Sequence, residues 1–427
     1  MKAVVLAAGE GVRLKPITST RPKHLIKLGG KPILEHCFDA LKTSGVDEAV
    51  VVVHYMAEAI KKHFGDGKRF GLKLEYVEQP SMLGTGNAVA VAEPSVKEEF
   101  LLVYGDLLFS AEAVKSVLDL YEKEKPCAVM AVVPVDRPES YGVVELEGDK
   151  NVKRIVEKPK REEAPSNLAN AGIYVFSPEI FEKIKATSAS SRGEWEITDA
   201  IGLLLGEKKP FLAVKVARED WLDVGRPWDL LVANRWALSR MSHSVKGKVE
   251  NGATLVGPVI VAESARIRSG TYIEGPAFVG EGSDIGPNCF IRPYTSIGNE
   301  VRVGNACEIK ESIIMDGAHV GHLSYVGDSV LGEGCNLGAG TITGNYRLDA
   351  SSIKMMVKDE VVDSGRRKLG AILGDNVKTG IGALLMPGVK IGCNSLIGPG
   401  TVIYRDVPAD TIVLLKQNLE ETKLDKQ

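Results

Sequence analysis

VAESAR IRSGTY IEGPAF VGEGSD IGPNCF IRPYTS IGNEVR VGNACE, which runs from Val261 to Glu308, opens every group of six with an aliphatic residue. These are Val261, Ile267, Ile273, Val279, Ile285, Ile291, Ile297 and Val303, with Ile309 next in line. Neither a helix nor an ordinary strand repeats at that interval. Four places after the aliphatic residue the side chain is usually small, as at Ala265, Thr271, Ala277, Ser283, Cys289, Thr295 and Cys307, and Gly is frequent one place after it. A fixed period of six is the pattern of a hexapeptide parallel β-helix. Each flat side of a coil takes one hexad, the aliphatic residue fills the interior, the small residue lets the chain turn, and successive coils stack ~4.8 Å apart. So many consecutive matches exclude chance alignment.

The phase slips by one residue after Ile309, resumes at Ile314, Val320 and Val326, and slips again to Leu331 and Leu337. Slips are expected to eject residues from the column. From Thr343 to about Leu369 the pattern gives way to a polar, basic stretch, after which Leu373, Leu385, Ile391, Ile397 and Ile403 restore it. That stretch reads as a loop projecting from the column, and such loops carry function more often than the scaffold beneath them.

At 427 residues the chain is long for one core, so about two domains are expected. The first part lacks the hexad and alternates short apolar runs with amphipathic segments, as a parallel α/β sheet does. Ala3–Ala7, Ala49–Val53, Phe100–Val103 and Ala128–Val133 read as strands. Ile33, Leu34, Cys37, Phe38 and Leu41 recur at helical spacing, with Gly45 placed to cap the helix. Trp228, Leu231, Val232, Trp236 and Leu238 mark a connecting helix. The expected architecture is a Rossmann-like, mainly parallel α/β domain over 1–226 and a connecting helix over 227–246. A left-handed parallel β-helix follows over 247–407, with an inserted loop at 343–370 and a tail at 408–427.

A formal net charge of −3, with no basic stripe, argues against nucleic-acid binding driven by electrostatics. Met1-Lys2-Ala3 runs directly into a strand, and no apolar run reaches the ~20 residues of a membrane span, so a cytoplasmic protein without a membrane partner is expected. The six cysteines form no CxxC pair and several occupy small-residue slots of the hexads, which points to reduced packing cysteines.

Leu6-Ala7-Ala8-Gly9-Glu10-Gly11-Val12-Arg13-Leu14 directly follows the first strand. Gly9 and Gly11 let backbone N–H groups approach phosphate oxygens, and Arg13 can grip the same oxygens, so a polyphosphate is the natural guest. A dinucleotide fingerprint fails for want of a correctly spaced third Gly, and a Walker loop fails for want of Gly-Lys-Ser/Thr. Taken alone, the motif also fits an ordinary glycine-rich turn.

Arg21-Pro22-Lys23 and Gly29-Gly30-Lys31-Pro32 follow. With them the chain resembles the sugar-phosphate nucleotidylyltransferases, whose motif reads G-x-G-x-R followed by P-K and G-K-P. Further signposts occur in order: Gln79 with Leu83-Gly84-Thr85-Gly86, Tyr104-Gly105-Asp106, Tyr141-Gly142-Val143, Glu157-Lys158-Pro159, Asn170-Ala171-Gly172 and Trp221-Leu222-Asp223-Val224-Gly225. The resemblance implies attack of a sugar-1-phosphate oxygen on the α-phosphorus of a nucleoside triphosphate, UTP in this reading, with loss of pyrophosphate. Such a transfer needs positioning and charge neutralisation rather than a covalent nucleophile. Arg13 and Lys23 are the expected catalytic cations. Leu6, Ala8, Gly9, Gly11, Gln79, Gly84 and Thr85 are expected to bind the nucleotide, and Gly142, Glu157, Lys158 and Asn170 the sugar and its phosphate. Asp106 and Asp223 follow apolar runs, near strand ends, and are placed to hold Mg²⁺ with phosphates and water. Either aspartate would also serve as a helix cap or turn residue.

A second constellation lies at the slip: Gly321-His322-Leu323-Ser324-Tyr325-Val326-Gly327-Asp328, then Gly338-Ala339-Gly340-Thr341 and Gly344-Asn345-Tyr346. A histidine at a coil corner is more often structural than catalytic. This set, however, resembles the acetyltransferase half of the bifunctional N-acetylglucosamine-1-phosphate uridylyltransferase/glucosamine-1-phosphate acetyltransferases, and hexapeptide columns commonly serve as trimeric acyltransferases. Arg292 and Lys310 match at the family's spacing. With Tyr325, Asn345 and Tyr346 they would bind the amino-sugar phosphate. Ala339 would contact acetyl-CoA, and His322 would be the general base. A protonated amine has no lone pair, so acetyl transfer to it needs a group titrating near neutrality. The bacterial pattern places a lysine where this chain has Ser351, and Lys354 is expected to substitute. The loop with Ser364-Gly365-Arg366-Arg367-Lys368 resembles the archaeal type, and its basic cluster fits CoA phosphates, a neighbouring subunit or solvent.

The expected protein is therefore a bifunctional, homotrimeric enzyme that acetylates glucosamine-1-phosphate with acetyl-CoA and joins the product to UMP from UTP. A glucose-1-phosphate uridylyl- or thymidylyltransferase whose column only oligomerises is the alternative enzyme. A sugar-nucleotide sensor would be free to lose Arg13, Lys23, Asp106 and Asp223.

Overall fold

The computed structural model describes residues 1–190, 193–207 and 209–423. It divides into two compact units. Met1–Gly11, Arg21–Ile26 and Lys31–Gly225 form the first, and Val12–Thr20, Lys27–Gly30 and Arg226–Gln427 the second.

The first unit is built on a nine-stranded sheet. Its strands are β1 (Lys2–Ala7), β2 (Glu48–Val53), β3 (Lys73–Glu78), β4 (Phe100–Tyr104), β5 (Ala128–Pro134), β6 (Gly142–Glu147), β7 (Asn151–Glu157), β8 (Leu168–Phe176) and β9 (Phe211–Lys215). They lie in the order β3-β2-β1-β4-β8-β5-β9-β7-β6. The parallel character resides in β3-β2-β1-β4 and in the β5–β9 pair, whereas β8 runs antiparallel to β4 and β5, and β7 antiparallel to β6 and β9. The apolar runs that read as strands in the sequence are the central ones. Covered on both faces, they need no polar alternation. Ala3, Val5 and Ala7 point into one core layer with Leu34, Cys37 and Phe38 of α1 (Ile33–Thr43), capped by Gly45 at φ +85°. Val4 and Leu6 point into the other layer with Val89 and Ile197.

A separate antiparallel pair joins Leu107–Phe109 to Trp221–Asp223, with Leu107 opposite Asp223. Asp223 thus ends one strand of the pair, and Asp106 lies in the turn immediately before the other.

The second unit contains α2 (Asp229–Leu238), the connecting helix, and a column whose described residues form three parallel sheets of eight, nine and eight strands. Every aliphatic residue of the hexads lies in one interior cluster. Val261 stacks on Val279, Ile267 on Ile285 and Ile273 on Ile291, each three hexads on. At the slips the stack continues, Ile297 on Ile314 and Ile309 on Val326, one residue short of three hexads. Nothing is ejected from the column there. Each affected coil has one corner residue fewer, and the shortened corners hold Glu311 and Asp328, both buried and in left-handed backbone at φ +44° and +50°. Thr343 still belongs to the column, opposite Leu385. The insertion that follows is a hairpin, Lys354–Val357 against Glu360–Asp363, closed at its base by a bridge between Tyr346 and Lys368.

Within the second unit Thr20 donates to Asp375 at 2.7 Å, the Lys27 amine to Asp316 at 2.5 Å and the Gly29 amide to Asn234 at 2.9 Å. These contacts explain why two short segments from the N-terminal region group with the column rather than with the sheet. All six cysteines are free thiols, five of them buried. Among the described residues no helix is long and apolar enough to cross a membrane.

Candidate active sites

In the first unit, β1 ends with Leu6 and Ala8 buried, and Gly9 turns into open space with no atom within 4 Å of where a Cβ would lie. Gly11 takes φ +69°; Arg13 stands exposed on the short helical turn Val12–Leu14, which groups with the second unit. Lys23 is nearly buried, and its amine donates to the Asp106 carboxylate at 2.7 Å. Beside this pair lies His24, fully buried, its Nδ1 without a hydrogen-bond partner among the described residues. Burial, opposed by Asp106 and reinforced by Lys23, lowers its pKa to about 4 and keeps the imidazole neutral.

Gln79 at the end of β3 is buried and donates through Nε2 to the Gly84 carbonyl at 3.2 Å and to Asn87 at 2.9 Å. Gly84 sits at φ +101°, where a Cβ would fall 2.6 Å from the Trp195 carbonyl, so this turn admits only glycine. Thr85 accepts from the Ile197 amide at 3.0 Å. Gly142 lies opposite Glu157 across the β6–β7 ladder, close enough that a Cβ would stand 3.0 Å from the Glu157 carboxylate. Lys158, at φ +42°, folds its amine to 3.6 Å from Glu157. Asn170 lies at an irregularity of β8, accepts from the Gly172 amide at 3.0 Å and donates to the Tyr174 hydroxyl. Tyr174 in turn meets Tyr104 at 3.4 Å. Burial, with Tyr174 and Glu157 close by, raises the Tyr104 phenol well above its ordinary range, so it remains a neutral hydrogen-bonding group.

In the second unit the acetyl-site candidates separate into two neighbourhoods. A cavity of about 470 Å³ is lined by His322 and Ala339 together with Arg268, Arg302, His319 and Asn336. The His322 ring is exposed and makes no side-chain hydrogen bond among the described residues, while its carbonyl accepts from Ser324 at 2.8 Å and from the Gly340 amide at 3.0 Å. The second neighbourhood is a polar network at the shortened corners. The Lys310 amine donates to both Asp328 oxygens, at 3.0 and 2.8 Å, and Asn345 donates to Asp328 at 2.5 Å and to the Tyr325 hydroxyl at 3.0 Å. Arg292 pairs with Glu308 at 3.0 Å. Tyr346 is exposed at the base of the insertion.

Lys354 does not join this network. It lies exposed on the hairpin opposite Asp363, because the strand alternation that buries Ile353 and Met355 turns it outward. The loop cation that does reach the network is Arg366, 3.2 Å from Glu311 and 3.9 Å from Asp328. Sequence reading also passed over His24, Asn87, Tyr174, Glu311 and Asn336. His24 follows Lys23 directly, and Glu311 is the residue at which the hexad slips, so each stood beside a recognised signal.

A family model described as "Nucleotidyl transferase" matches residues 2–240, one described as "GMPPB C-terminal domain" matches 273–385, and one described as "Bacterial transferase hexapeptide (six repeats)" matches 370–405. The chain is 43% identical over 426 residues to the "Bifunctional protein GlmU" of Methanocaldococcus jannaschii, covering 99% of this chain and 100% of that protein. The chain belongs to the bifunctional GlmU family. It is also 42% identical, over 89% of its length and 91% of the relative's, to the "Bifunctional sugar-1-phosphate nucleotidylyltransferase/acetyltransferase" of Sulfurisphaera tokodaii. Among solved structures, a UDP-glucose pyrophosphorylase complexed with UDP-glucose matches with TM-score 0.51 and 27% identity, over 56% of this chain and 99% of that one. The family thus joins the two domain types found here.

Proposed function

We infer that the chain makes UDP-N-acetylglucosamine in two steps: it acetylates glucosamine-1-phosphate with acetyl-CoA, then transfers UMP from UTP to N-acetylglucosamine-1-phosphate with release of pyrophosphate. The observation that carries the bifunctional reading over a nucleotidylyltransferase with an oligomerising column is the polar network in the column. A column serving only oligomerisation has no use for a carboxylate as buried as Asp328, since desolvating an ion pair is costly and apolar packing would do as well.

In the nucleotidyl site, Arg13 and Lys23 hold the triphosphate and stabilise charge on the leaving oxygens. Leu6, Ala8, Gly9 and Gly11 present backbone to the nucleotide, and Gln79, Gly84 and Thr85 read its base. Gly142, Glu157 and Asn170 receive the sugar, and Lys158 its phosphate. Asp223, opposite Leu107 in the two-stranded pair, and Asp106, in the turn just before Leu107, offer oxygen donors only, and the described residues include no group of three or more His, Cys, Asp or Glu side chains able to hold a metal. That set fits Mg²⁺, which is usually held by one or two carboxylates and completed by phosphates and water. When bound, the ion supplies charge neutralisation at the reacting phosphates.

In the acetyl site, Arg292, Lys310, Tyr325, Asn345 and Tyr346 bind the amino-sugar phosphate, His322 removes the ammonium proton, and Ala339 faces acetyl-CoA in the shared cavity. The column also presents apolar residues outward near its C-terminal end, Leu384 stacked on Val402 and Leu396 on Ile412, a surface suited to closed threefold association. Light scattering is expected to give three times the 45.9 kDa chain mass. Incubating the protein with UTP, glucosamine-1-phosphate, acetyl-CoA and Mg²⁺ should yield UDP-N-acetylglucosamine by mass. Nucleotidyl transfer without any acetylated product would refute the bifunctional reading.

A further inference from the structure

Three cations converge on the shortened corners of the column. Lys310 holds Asp328. Arg235 lies 2.9 Å from Glu311 and packs 4.0 Å over the Tyr294 ring. Arg366, from the inserted loop, reaches Glu311 at 3.2 Å. Against these stand two carboxylates, Glu311 and Asp328, so the cluster carries one surplus positive charge. Burial alone would raise the Glu311 carboxyl, yet Arg235 and Arg366 hold it below its ordinary value.

Arg366 is fixed rather than trailing. Its amide donates to Ser364 Oγ at 3.1 Å, and its carbonyl accepts from the Ile353 amide at 2.9 Å. Nε donates to the Lys368 carbonyl at 3.1 Å and Nη2 to Glu311, while Nη1 has no partner among the described residues. The loop is sewn to the network at its base, where Leu369 donates to the Asn345 carbonyl at 3.0 Å and Gly370 to the Asp328 carbonyl at 2.8 Å. A guanidinium so held, with donor capacity unspent, is suited to a phosphate, which accepts parallel N–H bonds. The other basic groups of the insertion, Arg347, Lys354, Lys358, Arg367 and Lys368, are exposed, and among the described residues none makes a side-chain hydrogen bond or ion pair with this network.

We propose that Arg366 is a third phosphate-gripping cation of the acetyl site, acting with Lys310 and Arg292 in the role the sequence assigned to Lys354, and that it tunes the site toward amino sugars bearing a phosphate. This rests on the acetyl-site reading above. The test uses full-length Arg366→Ala and Arg366→Lys, with glucosamine-1-phosphate as acceptor and inorganic phosphate as competitor. Losing one charge-assisted contact should raise the acceptor KM and the phosphate inhibition constant of Arg366→Ala together by roughly 10–100-fold, with kcat changed far less and Arg366→Lys recovering part of the loss. A KM within twofold of wild type, or a fall in kcat and melting temperature with KM unmoved, would overturn the inference while leaving the acetyl-site reading intact. A wild-type protein that acetylates no amino-sugar phosphate would overturn both.

Discussion

Each unit of this chain holds a lysine–aspartate pair, and the two are buried in opposite senses. In the first unit Lys23 is 6% exposed while its partner Asp106 is 39% exposed. In the second, Lys310 is 14% exposed and Asp328 only 1%. The member of a pair turned toward solvent is the more open to a ligand, and its buried partner also holds it in place. The first pair therefore offers a carboxylate, suited to a cation, and the second offers an amine, suited to a phosphate. On the function proposed above, identical residue types would serve a metal-assisted phosphoryl transfer in one domain and recognition of a sugar phosphate in the other, with burial making the distinction.

The sharpest break of that contrast is Asp106→Asn. If the exposed carboxylate serves the metal, several kcal/mol of charge stabilisation disappear, and pyrophosphate release should fall on the order of 10³-fold. Acetyl transfer measured on the same preparation should be unchanged, because the second pair lies in a separate unit. Asp223→Asn should behave alike. Nucleotidyl transfer near wild type at saturating Mg²⁺ would show that the exposed carboxylate has no such use.

Asp328→Asn probes the reverse case. Here the buried member is removed and Lys310 loses its nearer carboxylate, keeping only Glu311 at 3.9 Å, and breaking a buried pair typically costs about 3–5 kcal/mol. The effect should appear first as a lower unfolding midpoint of the protein in denaturant and as lost acetyl transfer. A variant as stable as wild type would mean that the network is hydrated and that the burial asymmetry carries no meaning.

His322→Ala should be milder than Asp106→Asn, near 10²-fold on acetyl transfer, the low end of what a general base contributes, since no described side chain orients the ring. Uridylyl transfer should persist, and the residual acetyl rate should climb with pH as free amine accumulates. An unaltered acetyl rate would reassign His322 to structure.

The column was legible because its chemistry repeats. Every aliphatic hexad position from Val261 to Ile309 is interior, and the period says so without knowledge of any partner strand. The first unit was legible where strands are covered on both faces, as in β1 and β2, and where an ordered series of motifs fixes the turns. The antiparallel half of its sheet was less so, because β6 and β7 are polar on one face and pair through a bulge that no short-range pattern announces. The grouping of Val12–Thr20 with the column depends on long-range contacts such as Thr20 to Asp375, which leave no local trace. In the acetyl site the sequence located the slip and the insertion. It could not show which loop cation returns to the network, since Lys354 and Arg366 are equivalent until the hairpin pairing sets which one turns inward.

Lys354→Ala provides the smallest expected effect and the finest test. Lys354 is exposed, lies opposite Asp363 in a two-stranded hairpin, and makes no side-chain contact with Lys310, Asp328 or Asn345. An exposed residue away from caps, cores and networks usually changes stability by no more than about 0.5 kcal/mol. Acceptor KM, kcat and melting temperature should therefore all stay close to wild type, with rates within about twofold, while the same measurements on Arg366→Ala move. The pair of variants turns the comparison onto a single hairpin: two cations of one loop, one spent in solvent and one held at the network. If Lys354→Ala raised KM tenfold or more, the hairpin would have to turn over on binding the sugar phosphate, and the resting position of Lys354 would not be its working one.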